Sequence, residues 1–212
     1  MRRIALRRLT AFVAAALLAG AAAAADRYTT LAQPQPTDDP ARIEVRELFA
    51  YFCPHCYHLE PGITAWREKQ APDVQFIRMP AVFDARWEPQ ARAWFVIEAL
   101  ELGEDVHKAL FAAIHDDKQP MSTRDQLAGF FAKHGLDADE FAAAYDSPGV
   151  EFKLRQAREI TRAVRINGVP SVVVNGKYVT SVSDAGGEEK LLALLDELVA
   201  RERGAPAPAA TP

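Results

Sequence analysis

The chain has 212 residues, which is enough for one hydrophobic core, and its 25 basic and 29 acidic residues give a formal net charge of −4 at pH 7. This acidic balance excludes the basic surface that nucleic-acid binding requires, so we expect no nucleic-acid partner. With only two cysteines, the chain also lacks the several disulfides that hold small secreted domains together.

The first 25 residues have the pattern of a cleaved signal peptide. Four arginines precede an apolar run over residues 9–18, and five alanines follow at positions 21–25. A membrane anchor needs roughly 20 apolar residues, and this run is shorter. We therefore expect export and cleavage near Asp26, which leaves 21 basic against 29 acidic residues and a net charge of −8.

Both cysteines lie in a predicted β-α-β unit. After a polar lead-in over residues 26–40, the segment Ile43–Phe52 alternates as a strand does, and the motif Cys53-Pro54-His55-Cys56 follows at once. Pro54 suits the first turn of a helix, where its missing N–H is not needed. That helix extends to about residue 66, and residues 74–79 predict a second strand.

Helical periodicity then dominates residues 85–165, with capping signals at Ser122 or Thr123, Asp137 and Ser147. Strand character returns at residues 170–174, and Asn175-Gly176 predicts a hairpin turn. An amphipathic helix over residues 188–203 and a Pro/Ala tail over 205–212, predicted to be disordered, complete the chain. We therefore predict one α/β domain over residues 26–204 that contains an inserted helical segment.

The two cysteines differ in their expected chemistry. The thiolate is the reactive form, and Cys53, at the helix start, meets unpaired N–H donors and the positive end of the helix dipole. Cys56 lies one turn inside. We therefore expect Cys53 to be the exposed sulfur, both attacked and attacking, and Cys56 the resolving one, with His55 between them stabilising the Cys53 thiolate.

Two other interpretations of the cysteine pair stay open. A structural disulfide would close a loop of only four residues and restrain little unfolded-chain entropy. A metal site could use His55 and His58 as further ligands, but these four residues lie too close together for the usual two-arm zinc arrangement. Haem attachment requires a histidine directly after the second cysteine, where this chain has Tyr57.

Glu47 is a further candidate site residue, because the strand alternation places it on the same face as Val45 and Phe49. A carboxyl there is predicted to be buried, with a raised pKa, and Arg78 on the next strand could pair with it. We hypothesise that Glu47 relays a proton to or from Cys56. The alternative is an exposed strand acid. The other histidines are interpreted as solvated helix residues, namely His58, His107, His115 and His134.

Three features together resemble the DsbA family of thioredoxin-fold oxidoreductases. They are Cys53-Pro54-His55-Cys56-Tyr57 after an aromatic strand end, Glu47 six residues before Cys53, and Gly168-Val169-Pro170 before a strand. The resemblance covers nearly all of the chain after the leader. It implies a thioredoxin-like fold with a central mixed β-sheet and an inserted α-helical domain.

The resemblance also implies a function and a second part of the site. Val169-Pro170 should be a cis peptide that faces the cysteines, with Val169 offering backbone hydrogen bonds to an extended substrate, whereas the residues alone favour an ordinary trans proline. The implied activity is oxidation of reduced or unfolded secreted polypeptides in the periplasm by a monomer without a cofactor. Reoxidation by a DsbB-like, quinone-linked membrane protein is implied as well.

Two alternative functions remain at this point. The first is a disulfide reductase or isomerase, which uses the same cysteine pair in another direction. The second belongs to a different class, a redox-controlled holdase or metal chaperone that binds its partner without turnover. A measured reduction potential distinguishes an oxidant from the first alternative. Catalytic oxidation of a reduced protein distinguishes an oxidant from the second.

Overall fold

A computed structural model of the chain describes residues 27–204. The predicted signal peptide, residues 1–25, and the predicted Pro/Ala tail, residues 205–212, lie outside this range. Within residues 27–204, no helix has both the length and the apolar character needed to cross a membrane.

The predicted β-α-β unit is confirmed. It consists of strand β2 (Ile43–Phe49), helix α1 (Pro54–Glu68) and strand β3 (Val74–Pro80), and the two strands are parallel. Strand β2 is shorter than predicted, because the chain turns after Phe49 and the backbone N–H of Cys53 donates to the carbonyl of Ala50 at 3.1 Å. This turn delivers Cys53 to the start of α1.

Five helices lie between β3 and the next strand, after a short 3-10 turn at Ala85–Trp87. They are α2 (Glu88–Ala99), α3 (Gly103–His115), α4 (Arg124–Lys133), α5 (Ala138–Tyr145) and α6 (Pro148–Ala163). The side chains of Thr123, Asp137 and Ser147 accept backbone N–H bonds at the starts of α4, α5 and α6, as their sequence signals predict. Thr123 and Gln126 form a complete capping box.

The sheet is completed by β1 (Thr29–Thr30), β4 (Ser171–Val174) and β5 (Tyr178–Ser181), in the order β1-β5-β4-β2-β3. Only the β2–β3 pair is parallel, so the described sheet is mixed. Asn175 and Gly176 both adopt positive φ in the predicted hairpin turn. Helices α7 (Val182–Ala185) and α8 (Glu188–Gly204) follow, and β1 and α7 were not predicted.

Both faces of β2 are buried, which differs from the predicted alternation of buried and exposed residues. On one face Val45 packs with residues of α1 and α8, while Leu48 on the other face packs with Val173. Glu44 and Arg46 also lie on this second face, only 2% and 3% exposed, and pair with each other at 2.9 Å. Strand β2 is therefore enclosed, and its charged residues are partnered inside the protein.

Candidate redox-active site

The turn after β2 places the two cysteines at the N-terminus of α1. Cys53 is the N-cap residue and Pro54 occupies the first turn, so the first free N–H donors of the helix belong to His55 and Cys56. Both cysteines are free thiols, with Cys53 8% exposed and Cys56 fully buried. Cys53 is less exposed than expected, but it is the sulfur nearer to solvent.

The surroundings of Cys53 favour its thiolate. A hydrogen bond from the Cys56 thiol lowers the pKa of Cys53 most, and the backbone N–H groups of Cys56 and His55 lower it further. Burial opposes these contributions, the charge of His55 adds the smallest of them, and the resulting pKa is about 6. The N–H groups at the start of α1 therefore lower the Cys53 pKa, as predicted. The thiol of Cys56 lowers this pKa more than the charge of the exposed His55 does.

Cys56 is affected in the opposite direction. Burial raises its pKa far above the ordinary thiol value, and the hydrogen bond with Cys53 and the negative charge of the Cys53 thiolate add to this rise. One sulfur of the pair is therefore stabilised as an anion, whereas the other is stabilised as a protonated thiol. This electrostatic difference matches the unequal roles predicted for the two cysteines.

Glu47 is buried, 1% exposed, and lies directly opposite Arg78 in the register of β2 and β3, as the strand pattern predicted. Its Oε2 is 3.5 Å from Arg78 Nε, an ion-pair contact without hydrogen-bond geometry. Burial raises the pKa of Glu47 to about 8, and Arg78 offsets only part of this effect. Most Glu47 side chains therefore hold a proton at neutral pH.

Val169 and Pro170 lie opposite the cysteines. The Val169–Pro170 bond is cis, and the thiol of Cys53 donates to the carbonyl oxygen of Val169 at 3.4 Å. The cis geometry and the position implied by the family resemblance are thereby confirmed. The backbone of Val169 is consequently next to the Cys53 sulfur.

Sequence and structure comparisons identify the family. Residues 44–196 match the model of the DSBA-like thioredoxin domain. The thiol:disulfide interchange protein DsbA of Pseudomonas aeruginosa is 41% identical over 203 residues, covering 93% of this chain and 96% of that protein. The protein of the same name from Azotobacter vinelandii is 42% identical over 179 residues, covering 84% of each chain. The chain belongs to the DsbA family.

Solved structures agree with this assignment. The crystal structure of Pseudomonas aeruginosa DsbA has a TM-score of 0.81 and 39% identity, covering 84% of this chain and 93% of that chain. Family membership makes the chain a thiol:disulfide oxidoreductase with a thioredoxin-like fold and a helical insertion. The geometry of the cysteine pair can therefore be interpreted as that of a DsbA family redox site.

A buried charge cluster adjoins this DsbA family site. Arg78 donates to Glu60 at 2.5 Å and to both carboxylate oxygens of Glu104 at 2.8 Å, and it also contacts Thr64. The sequence interpretation identified Glu47 and Arg78 but missed Glu60 and Glu104. No pattern within one element marks these two acids, because they come from helices α1 and α3.

The same cluster contains a group of possible cation ligands, which is separate from the cysteine and histidine site considered in the sequence analysis. Oxygen or nitrogen atoms of Glu60, Glu104 and His107 lie within 4.8 Å of one another, a spacing that could suit a cation. However, the guanidinium of Arg78 already binds both carboxylates, so a positive charge is supplied by the protein itself. A metal ion would have to displace this buried arginine.

Two of the histidines interpreted as solvated occupy other positions. His107 is 1% exposed and its Nδ1 lies 2.7 Å from the hydroxyl of Tyr51, while its Nε2 is 3.4 Å from Glu60, an electrostatic contact without hydrogen-bond geometry. His115 is half-buried, and its Nε2 lies 2.7 Å from the carbonyl oxygen of Tyr51. The apolar periodicity of α3 gives no sign of these partners. His58 and His134 are exposed, as predicted.

A groove with a volume of about 970 Å³ begins beside His55 and the cis peptide. It is lined by residues 29–33, 35, 163–171, 179 and 181–184, which come from β1 and the chain after it, the segment around the start of β4, and β5 with α7. Hydroxyl and amide side chains contribute much of this lining, including Thr30, Asn167 and Ser183. The groove can therefore hold an extended polypeptide beside Cys53.

Proposed function

We propose that the chain introduces disulfide bonds into exported polypeptides by transferring its Cys53–Cys56 disulfide through a mixed disulfide. The observation that carries this proposal is the inequality of the two sulfurs. Cys53 reaches solvent and has a pKa of about 6, whereas Cys56 is fully buried with a strongly raised pKa. Stabilising the reduced form in this way makes the disulfide more oxidising.

In the first step, a substrate thiolate attacks the Cys53 sulfur of the disulfide. The substrate–Cys53 bond forms, the Cys53–Cys56 bond breaks, and Cys56 leaves with the electron pair. In the second step, another substrate thiolate attacks the substrate sulfur of the mixed disulfide, and Cys53 leaves as a thiolate. The substrate has lost two electrons, and the enzyme dithiol has gained them.

Glu47 supplies the proton that the first step requires. A Cys56 anion is disfavoured in the interior, because burial opposes its ionisation. Glu47, with a pKa of about 8, carries a proton at neutral pH and can act as a general acid toward this leaving group. Arg78 stabilises the resulting carboxylate.

The remaining candidate residues hold the substrate and the attacked sulfur. Pro54 begins α1 without an N–H, His55 contributes an N–H and charge beside Cys53, and Val169 with Pro170 presents a backbone to an extended substrate. The backbone N–H and C=O of such a substrate can pair with Val169 as an added strand would. The position of the Val169 carbonyl, 3.4 Å from the Cys53 sulfur, supports this role.

We further propose that the protein works in the periplasm as a monomer on reduced or unfolded secreted polypeptides. The pattern of the first 25 residues supports export, and N-terminal sequencing of the exported protein tests cleavage near Asp26. A DsbB-like, quinone-linked membrane protein is proposed to reoxidise the dithiol. Quinone-dependent reoxidation in membranes tests this partner, and light scattering tests the monomer.

The decisive test of the activity is catalytic oxidation of a reduced protein, with two matched variants. Cys53→Ser is expected to abolish turnover, because the attacked sulfur is missing. Cys56→Ser has no disulfide to transfer, but its Cys53 thiolate can attack the disulfide of an oxidised substrate. The resulting mixed disulfide is expected to accumulate, because no Cys56 thiol is present to attack Cys53 and release the substrate. A reduction potential as low as that of thioredoxin, roughly −270 mV, would overturn the oxidant direction and favour a reductase. Binding without turnover would favour the holdase alternative.

A further inference from the structure

Helix α3 holds Tyr51, two residues before Cys53, through three side chains spaced four residues apart. His107 contacts the hydroxyl of Tyr51 at 2.7 Å, Phe111 packs on its ring with centroids 4.8 Å apart, and His115 contacts its carbonyl at 2.7 Å. Residues at this spacing lie on one helix face. One face of α3 therefore contacts the hydroxyl, the ring and the carbonyl of Tyr51, a residue in the turn before Cys53.

The chemistry of each contact fixes its direction. A carbonyl oxygen only accepts, so His115 donates its Nε2–H to Tyr51. At His107, the anionic Glu60 lies near Nε2, which favours the ring proton there and leaves Nδ1 to accept the Tyr51 hydroxyl proton. Burial lowers the pKa of His107, which agrees with a neutral ring carrying this single proton.

His115 also contacts the other side of the cysteine pair. Its ring stacks on Tyr57, which directly follows Cys56, with centroids 4.8 Å apart and an angle of 7° between planes. The adjacent Asp116 accepts the Tyr57 hydroxyl at 2.6 Å. The end of α3 thus contacts the chain both before and after Cys53 and Cys56.

We propose that His107, Phe111 and His115 are positioning residues that fix the turn before Cys53 and thereby the reactivity of its sulfur. We call these three residues the Tyr51 clamp. Through the clamp, the helical insertion determines the geometry of the redox site, in addition to any surface that it offers to substrates. This inference rests on the proposed role of Cys53 as the attacked sulfur.

The physical link runs through hydrogen-bond geometry. Tyr51 lies inside the turn that the Cys53 N–H closes onto Ala50 at 3.1 Å, and this turn sets where the Cys53 sulfur stands relative to the N–H groups of His55 and Cys56. Hydrogen bonds weaken steeply when the donor angle is lost. A released Tyr51 carbonyl lets the turn shift, so the thiolate loses part of its stabilisation.

The test compares two substitutions of His115. His115→Phe keeps a ring to stack on Tyr57 but removes the donor, whereas His115→Gln keeps a donor of similar reach. Tyr51→Phe removes only the hydroxyl that His107 binds. It therefore tests a second contact of the Tyr51 clamp independently of His115. His134→Phe makes the same chemical change at an exposed histidine outside the site and serves as the matched control.

Three quantities are measured in the full-length mature protein: the Cys53 pKa from thiolate ultraviolet absorbance, the equilibrium constant with glutathione, and the melting temperature of the oxidised form. At pH 7, His115→Phe is expected to raise the Cys53 pKa by about half a unit to one unit. The equilibrium constant for oxidation of glutathione by the protein disulfide should then fall by about 2.5- to 5-fold. Tyr51→Phe shifts both in the same direction. His115→Gln stays within about twofold of the wild type, consistent with a retained hydrogen bond.

Two results would overturn the clamp. The first is that both His115→Phe and Tyr51→Phe keep the Cys53 pKa and the equilibrium constant of the wild type, whatever their melting temperatures. The second is an equal shift in His115→Phe and His115→Gln, which would assign the effect to general packing. An ordinary thiol pKa for Cys53 in the wild type would instead overturn the proposed function, so the two failures are distinguishable.

Discussion

Replacing Glu47 by Gln is expected to change how the stability of the protein depends on pH. Burial gives Glu47 a folded-state pKa of about 8, against 4.5 for the free side chain. The folded protein therefore retains a proton that the unfolded chain releases. For a raised carboxyl pKa, the stabilising contribution is complete below pH 4.5 and is lost as the pH rises toward 8.

The size of the loss follows from these two pKa values. Relative to the protonated state, this group costs about 1 kcal/mol of unfolding free energy at pH 5 and about 3 kcal/mol at pH 7. The wild type should therefore lose roughly 2–3 kcal/mol from Glu47 over this interval, a large part of an ordinary stability. Gln has nearly the same shape but does not titrate, so the variant escapes this loss.

The assay is urea unfolding of the oxidised protein from pH 5 to 8, because the disulfide form contains no thiol that titrates. Subtracting the unfolding free energy of the variant from that of the wild type at each pH cancels the contributions of all other groups that titrate alike in both proteins. The stability advantage of Glu47→Gln over the wild type is expected to grow steadily with pH. Parallel pH curves would show that Glu47 is already ionised at neutral pH, and its role as a proton donor would fail.

A matched control is Glu197→Gln at the surface. Arg27 lowers the pKa of Glu197 through a hydrogen bond, which is opposite in sign to the shift at Glu47. The stabilisation from Glu197 is present above its unfolded pKa and is lost as the pH falls. Its difference curve should therefore change only at acid pH and in the opposite direction.

Three further substitutions test the structure around the site. Arg78→Met should reduce the unfolding free energy at pH 7 by about 3–5 kcal/mol, because it leaves buried carboxylates without their cation, and by less at pH 5, where they can protonate. Gly176→Ala should cost about 2 kcal/mol or more, since Gly176 has φ +63° and a Cβ would lie 2.0 Å from the carbonyl oxygen of Gln35. Thr123→Ala removes a capping box and should cost about 1 kcal/mol, measurable by urea unfolding; no loss would contradict the cap.

The parts of the fold that were predicted correctly depend on local signals. The strand before the cysteines, the caps of the inserted helices and the Asn175-Gly176 turn each have a pattern confined to a few adjacent residues. β1 and α7 were missed because two and four residues are too short to establish a period. The burial of Glu44 and Arg46 was missed because alternation identifies one core face and gives no sign of a second.

The site was predictable where its residues share one element and unpredictable where elements meet. The spacing around Cys53 and the same-face positions of Glu47 and Arg78 could be read along single strands and helices. His107 and His115 could not, since their partners are the hydroxyl and carbonyl of a residue more than 50 positions away. The sequence defines the amphipathic face of α3, but it does not define what that face meets.

Contacts between β2, β3, α1 and α3 also explain why Glu47, rather than Glu60 or Glu104, is the protonated acid. Arg78 contacts three carboxylates, and one cation cannot stabilise three anions equally. Burial opposes ionisation of Glu60 and Glu104 as well, but His107, Arg78 and Thr64 outweigh it at Glu60, and Arg67 with Arg78 outweigh it at Glu104, so the pKa of each is lowered.

Glu47 has the weakest hold on the shared cation, since its contact with Arg78 is 3.5 Å long and its Oε2 has no hydrogen-bond partner among the described residues. The negative charges of Glu60 and Glu104 raise its pKa further. The two ionised acids therefore keep the third one protonated, and only when Glu47 loses this proton does its charge raise the pKa of Cys56. The proposed proton supply to Cys56 thus depends on this cluster having more carboxylates than cations.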